Sequence, residues 1–308
     1  MLNSVRILNF DDSVTRQKAL VSRFDPSIVD LRGLGPSARL YSDKTTFERI
    51  RAAIDPAARS RVTFLGSGDF HHIARLLIDQ FDDDMTVISF DRHPDWDTMP
   101  PLLSCGAWVS RVLEKDNIKK VLLIGASSGD ISPNVFQTGN FDSLKDDRVE
   151  VYPYQYRPTK VFLKKVPRNV SITVKKGMFY NEIHWQELKD KNITEFFLHI
   201  LRRIPTKKVY VTIDKDCLRH PYSLTNWEEG NMELEDLLLM LKFIKENCDI
   251  IGLDITGDYS AVKTAGLIRT FVTDIDHPRN FSAKGKDRSV IDSVNEQTNI
   301  KILELLLS

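Results

Sequence analysis

Short apolar runs alternate with stretches of helical spacing along most of this chain. Residues 5–10, 61–65, 85–90, 120–125, 209–213 and 250–255 are dominated by aliphatic and aromatic side chains, the pattern of strands covered on both faces. Between them, residues 43–54, 70–81, 107–114, 195–204 and 234–246 predict helices, and 298–307 a terminal one. Phe47, Ile50 and Ile54 share one side of the first helix, and Ile73, Leu76, Leu77 and Phe81 form the stripe of the second. Gly33-Leu34-Gly35-Pro36 reads as a turn, and Pro100-Pro101 interrupts the chain before the third helix. Strands that alternate with helices in this way favour an α/β fold, with a mostly parallel central sheet covered on both faces.

Residues 135–185 break the rhythm. Their β-rich pieces, 149–156, 161–163 and 170–174, are separated by prolines and lysines and fit either short edge strands or an inserted lobe. No fixed-period repeat and no low-complexity linker divides the chain, so residues 1–308 are expected to form one domain, with 135–185 as an irregular or inserted region. At 308 residues there is room for a substantial core.

Lysine and arginine together number 43, as do aspartate and glutamate, so no excess positive charge points to nucleic acid or an anionic membrane. The three cysteines, Cys105, Cys217 and Cys248, are odd in number and widely spaced, which argues against a disulfide framework and for a reducing compartment. The opening residues lack a basic region followed by an apolar segment, and the apolar stretch 237–244 is interrupted by Lys242 and too short to span a bilayer. A cytoplasmic protein is expected, with no nucleic-acid or membrane partner; a homo-oligomer is compatible with this reading.

Candidate chemistry gathers at strand ends. The 85–90 run leads straight into Asp91-Arg92-His93-Pro94-Asp95. If the backbone stays extended, alternation puts Asp91, His93 and Asp95 on one face, and Pro94 biases His93 towards extended conformations. A merely solvated strand end is the plain alternative. The 61–65 run is closed by Gly66-Ser67-Gly68-Asp69, which would place His71 and His72 in the first turn of the following helix. The 209–213 run delivers Asp214-Lys215-Asp216. In an open parallel sheet, sites form at the carboxyl ends of the strands. Carboxylates and imidazoles converging there would repel unless cations neutralised them. A carboxylate-rich set with some imidazole and no thiolate suits Mn2+, with Zn2+, Fe2+ or Co2+ as alternatives. Two such ions can lower the pKa of a shared water and supply hydroxide at neutral pH, which is the chemistry of hydrolysis.

The order and spacing of these elements resemble the arginase/agmatinase (ureohydrolase) superfamily, whose fold is shared with deacetylase-like enzymes. That family's G-G-D-H, D-A-H-x-D and S-x-D-x-D elements are matched here by Gly66-Ser67-Gly68-Asp69-Phe70-His71, Asp91-Arg92-His93-Pro94-Asp95 and Thr212-Ile213-Asp214-Lys215-Asp216. The resemblance implies a three-layer α/β/α, arginase/deacetylase-like domain holding two divalent ions. It implies His71, Asp91, His93, Asp95, Asp214 and Asp216 as ligands, with Asp91 and Asp214 bridging. An extra residue before His71 leaves His72 as its competitor. The pair also resembles the acid–base histidines of the deacetylase branch, which makes His72 a catalytic candidate, against the plain alternative of one ligand and one helix-start histidine.

Departures from the family are equally specific. Its guanidinium-clamping D-x-x-E is represented by Asp254-Ile255-Thr256-Gly257, so Asp258 is the nearest acid left to bind substrate. Its H-G-x-P loop is represented by Ser104-Cys105-Gly106-Ala107, with Cys105 where a proton-shuttling histidine stands. Cys105 is then either a weak proton donor or a small buried apolar residue. Asn226-Trp227-Glu228-Glu229-Gly230 falls where the family has a substrate-side loop; Trp227 would wall the pocket and Glu228 or Glu229 hold a cationic substrate, against the plain alternative of a solvated loop. His184, His220 and His277 have no partner at ligand spacing and read as structural, and Lys164-Lys165 and Lys175-Lys176 as solvated faces. The resemblance implies a binuclear metal-dependent hydrolase of a non-peptide C–N bond in a guanidino, amidine or amide compound, using a metal-bridging hydroxide. A single-zinc, deacetylase-like amidohydrolase and a non-catalytic metal- or ligand-binding relative are the alternatives.

Overall fold

The six apolar runs form strands, Val5–Asn9, Val62–Gly66, Met85–Phe90, Ile118–Ile124, Lys208–Asp214 and Asp249–Thr256. They are seen in a computed structural model that describes residues 5–54, 59–99, 103–131, 139–162, 166, 168–278 and 281–308. With Ser27–Asp30 and Val149–Tyr152 at its edges, the sheet runs Ser27–Asp30, Val5–Asn9, Val62–Gly66, Asp249–Thr256, Lys208–Asp214, Met85–Phe90, Ile118–Ile124, Val149–Tyr152. Every pairing in it is parallel.

Alternation along the central strands builds the layers. Met85 and Val87 enter one core while Ile88 and Phe90 enter the other. Likewise Val121 and Leu123 face the first core, Leu122 and Ile124 the second. The first is covered by Lys44–Ala53, Ala74–Ile78 and Trp108–Val112, which contribute Phe47, Leu77 and Trp108. The second is covered by Lys18–Phe24, Ile193–Leu201, Leu234–Asn247 and Arg288–Leu307, which contribute Leu20, Phe197, Leu237 and Leu303. The protein is a three-layer α/β/α structure.

The ambiguous region divides. Val149–Tyr152 is an edge strand of the main sheet, whereas Thr159–Phe162, Ile172–Lys176 and Tyr180–Trp185 make a separate antiparallel sheet of three strands. Part of 135–185 thus lies at the edge of the main sheet and part lies outside it. Pro100, Pro101, residues 135–138, Leu163, Lys164 and Lys165 lie outside the described residues.

Other expectations are corrected. Residues 70–81 do not make one helix: a 3-10 turn, Gly68–Ile73, precedes a short helix, Ala74–Ile78. At Gly68 the chain passes so close to the end of the Lys208–Asp214 strand, two strands away in the sheet, that a Cβ would stand 2.6 Å from Asp214 Oδ2. Lys18–Phe24 and Leu267–Asp276 are helices without a predicted counterpart, and the terminal helix already begins at Arg288. The Ser27–Asp30 strand is half exposed and too short to show a period.

Candidate metal centre

The main-sheet strands deliver their last residues to one edge. Asp214 ends the Lys208–Asp214 strand, and Asp91 follows Phe90 with its amide still bonded to the Ile124 carbonyl (3.1 Å). Beyond Asp91 the backbone leaves the extended conformation, and Asp95 sits in the left-handed region at φ 47°. Asp91, His93 and Asp95 therefore meet because a loop curls, not because a strand alternates. In the same way Asp216 lies in the 3-10 turn Lys215–Cys217, where its amide donates to Asp214 Oδ1 (3.0 Å). One further Asx-type bond and one between the two loops fix the arrangement: the His93 amide donates to Asp91 Oδ1 (2.7 Å), and the Arg92 amide reaches across to Asp216 Oδ1 (3.1 Å).

The result is a convergence of all six residues. His71 Nδ1 lies 3.0 Å from Asp91 Oδ2, 3.0 Å from Asp95 Oδ2 and 3.8 Å from Asp214 Oδ2. His93 Nδ1 lies 2.9 Å from Asp216 Oδ2 and 3.8 Å from Asp91 Oδ1. The ligand-type atoms fall into two groups, His71–Asp91–Asp214 and Asp91–His93–Asp216, each within 4.8 Å. Asp91 belongs to both. His71 Nδ1, Asp91 Oδ2 and Asp216 Oδ2 are buried and make no hydrogen bond among the described residues, although they are surrounded by polar atoms.

The proton on His71 can be placed. Tyr210 OH donates to Asp254 Oδ2 (2.7 Å) and Thr212 Oγ1 to Asp254 Oδ1 (2.7 Å). With its own proton committed, Thr212 Oγ1 accepts from His71 Nε2 at 2.8 Å. In the neutral ring Nδ1 then carries the lone pair, aimed at carboxylate oxygens. A lone pair facing two anions is repulsive unless a cation lies between them or the ring is protonated. Trp108 Nε1 donates to Asp95 Oδ2 (2.8 Å) and holds that carboxylate in place.

The electrostatics agree. Burial, and next the Asp95 carboxylate, push Asp91 up to about 6. Burial likewise raises Asp95, Asp216 and, furthest, Asp214, the last two with help from neighbouring carboxylates. Burial opposes charge on His71 and His93, but Asp91 and Asp95 around the one and Asp216 beside the other more than reverse it, leaving both well above the ordinary histidine. Such a site takes up positive charge, as protons or as metal ions.

The other candidates separate. His72 turns away: its Nε2 is 2.8 Å from Ser42 Oγ, and burial, then the neighbouring His71, lower its pKa to about 3. No pair of histidines faces the centre together through His71 and His72. Asp258 is also elsewhere, buried against Lys215 Nζ (2.8 Å) and bonded by Gln17 and Asn299, so it is not positioned to receive substrate. Trp227, Glu228 and Cys105 do line the cavity over the centre, a space of about 360 Å³, together with Asp97 and Asp130. Glu228 Oε2 lies 3.9 Å from His93 Nε2 and 4.0 Å from Arg92 Nε.

Two residues were invisible as partners in the sequence. Asp69, fully buried, accepts from Arg39 Nη1 and from Trp227 Nε1 (3.1 Å), and its Oδ1 lies 2.8 Å from His277 Nε2. Burial alone would raise its pKa; Arg39 and His277 overcome that and hold it at about 2. Trp227 is thereby fixed between the His93 and His277 rings, 5.2 Å from each centroid. His277 stands far from Asp69 in the chain, so no local spacing announces it.

Known structures share this framework. Arginase from Bacillus subtilis superposes at a TM-score of 0.57 over 100% of this chain and 99% of its own, at 12% identity. The chain has the arginase/ureohydrolase fold. A hypothetical agmatinase from Burkholderia thailandensis gives a TM-score of 0.56 at 15% identity, over 100% of this chain and 87% of its own. Trypanosoma cruzi formiminoglutamase, solved with Mn2+, gives 0.53 at 12% identity, over 98% and 93%. No protein-family model matches the chain. An uncharacterized protein of Thermotoga maritima is 27% identical over 197 residues, 64% of this chain but only 58% of that protein's length. This arginase-fold chain thus keeps the framework while its sequence has diverged far. Among the described residues, no helix is long and apolar enough to cross a membrane.

Proposed function

We propose that this centre binds two divalent cations, Mn2+ best, and hydrolyses a non-peptide C–N bond in a small cationic molecule of the guanidino, amidine or amide class. The observation that carries the reading is Asp91, the carboxylate common to two ligand groups, whose inward Oδ2, like His71 Nδ1 and Asp216 Oδ2, finds no hydrogen-bond partner among the described residues. The donor set fits: four carboxylates and two imidazoles without a thiolate suit a hard or borderline ion. When bound, such ions neutralise the carboxylates and activate water for attack on carbon.

The chain's own residues supply the rest. Thr212 and Asp254 keep His71 in the tautomer whose Nδ1 faces the centre, and Trp108 orients Asp95. Trp227 walls the cavity on one side and Cys105 contributes to its lining. Glu228, Asp97 and Asp130 outnumber Arg92 in the lining and give the mouth a negative field that favours a cationic substrate. Glu228 takes the substrate-holding role, because position 257 carries no acid and Asp258 is committed to Lys215.

Metal analysis and substrate screening test this. Chain loaded with Mn2+ and dialysed is expected to retain two ions, and to release urea, ammonia or amine over many turnovers from some guanidino or acylated amine compound. Retention of two ions by the Asp91→Asn variant would refute the assignment of ligands. Absence of any turnover across such a panel would leave a metal-binding protein and refute the hydrolase.

A further inference from the structure

The Leu267–Asp276 helix has its polarity reversed. A surface helix ordinarily turns its apolar stripe to the core. Here the buried positions are Arg269 and Thr273. Arg269 Nη1 donates to the carbonyls of Arg39 (2.7 Å) and Tyr41 (2.6 Å), with its guanidinium 3.7 Å from the Tyr41 ring centroid. His277, just past the helix end, reaches Asp69. The outward positions are Leu267 (90% exposed), Ile268 (77%), Phe271 (66%), Val272 (37%) and Ile275 (68%).

We propose that this face is an interface between two copies of the chain, related by a two-fold axis with the helices antiparallel. Three observations favour a second copy over other occupants. The first is area: these five side chains expose roughly 600 Å² of apolar surface, at the top of what monomers show, and approach the ~800 Å² per partner of a standard interface. The second is pattern. Leu267, Phe271 and Ile275 recur at four-residue spacing, so one turn of helix lies on each side of Phe271. Antiparallel pairing about the axis sets Phe271 against its mate and Leu267 against Ile275, a self-complementary surface as two-fold symmetry demands. The third is charge. The helix has no outward lysine or arginine, and Asp274 is exposed, whereas helices that lie on anionic lipid carry a basic polar face.

Pairing here would also brace the element that holds Arg39 and Asp69, and through Asp69 the Trp227 wall. The proposal does not depend on hydrolysis and is read without substrate.

The test is the mass of the full chain in solution, with and without Mn2+, across a wide range of concentration. Sedimentation velocity or light scattering is expected to give twice 35.4 kDa. Phe271→Asp, and separately the pair Leu267→Asp with Ile275→Asp, should weaken self-association by about a hundredfold or more, while the circular dichroism spectrum at low concentration stays that of the folded wild-type chain. Phe271→Cys should crosslink across the axis on mild oxidation, beyond any wild-type background. A wild-type chain that stays monomeric, or both charged variants remaining dimeric, overturns the proposal. So does flotation of a monomeric wild type with phosphatidylglycerol vesicles that Phe271→Asp abolishes, which would assign the face to lipid.

Discussion

Gly257 lies so close to Asp214 that a Cβ at position 257 would stand 2.4 Å from Asp214 Oδ1 and 2.6 Å from the Lys215 amide nitrogen. Its φ is +88°, a conformation that side chains rarely adopt. The missing acid at this position is therefore more than one exchanged side chain: the backbone here has no room for it. Gly257→Ala is expected to destabilise the protein by about 2 kcal/mol or more, from left-handed strain plus the clash. Gly257→Glu should cost more and confer no hydrolysis of arginine or agmatine. Urea unfolding and urea-release assays check both.

Asp91→Asn should abolish retention of both ions, since one carboxylate serves both ligand groups. His72→Gln should retain them, because its ring is engaged with Ser42 outside the centre. Metal content after exhaustive dialysis distinguishes the two variants.

Thr212→Val removes the acceptor of the His71 Nε2 proton and leaves Asp254 one donor short. No ligand is lost, so the fold and the stoichiometry should survive. Affinity for Mn2+ measured by calorimetry is expected to fall by about 10–100-fold, the usual effect of an outer-shell partner.

Burial raises Asp254 from 3.8 to about 6, against the pull of the nearby His71 charge and then of its hydrogen bonds. A carboxyl whose folded pKa lies above its unfolded value favours the folded state most at low pH. That contribution is complete below about pH 4 and is lost as pH rises through about 6, on the order of 3 kcal/mol. In metal-free protein, denaturant unfolding should therefore show stability falling more steeply with pH in the wild type than in Asp254→Asn. Parallel curves would remove Asp254 from this role.

Lys215→Met strands the Asp258 carboxylate in the interior with only neutral donors, Gln17 and Asn299. Breaking a buried pair in this way costs about 3–5 kcal/mol. Asp258→Asn should be milder and should leave KM unchanged in any active preparation. A KM effect confined to Asp258→Asn would restore it to the substrate pocket.

The central strands and the ligand types were legible in the sequence for a physical reason. A strand buried on both faces, such as Met85–Phe90, must be apolar without interruption, and a polar cluster at its end is visible by contrast. Asp91, His93, Asp214 and Asp216 stood out in this way. What tertiary structure alone decided was direction. The left-handed turn at Asp95 and the 3-10 turns at His71 and Asp216 aim these side chains, and a period of two or of 3.6 says nothing about such turns. His72 and Asp258 show the same limit, since their chemistry suited the site while Ser42 and Lys215 held them elsewhere. Asp69 met His277, and Leu267–Asp276 turned its apolar face outward, through contacts between distant parts of the chain. Local pattern reports how much of a side chain must avoid water; only the folded chain determines which partner it finds.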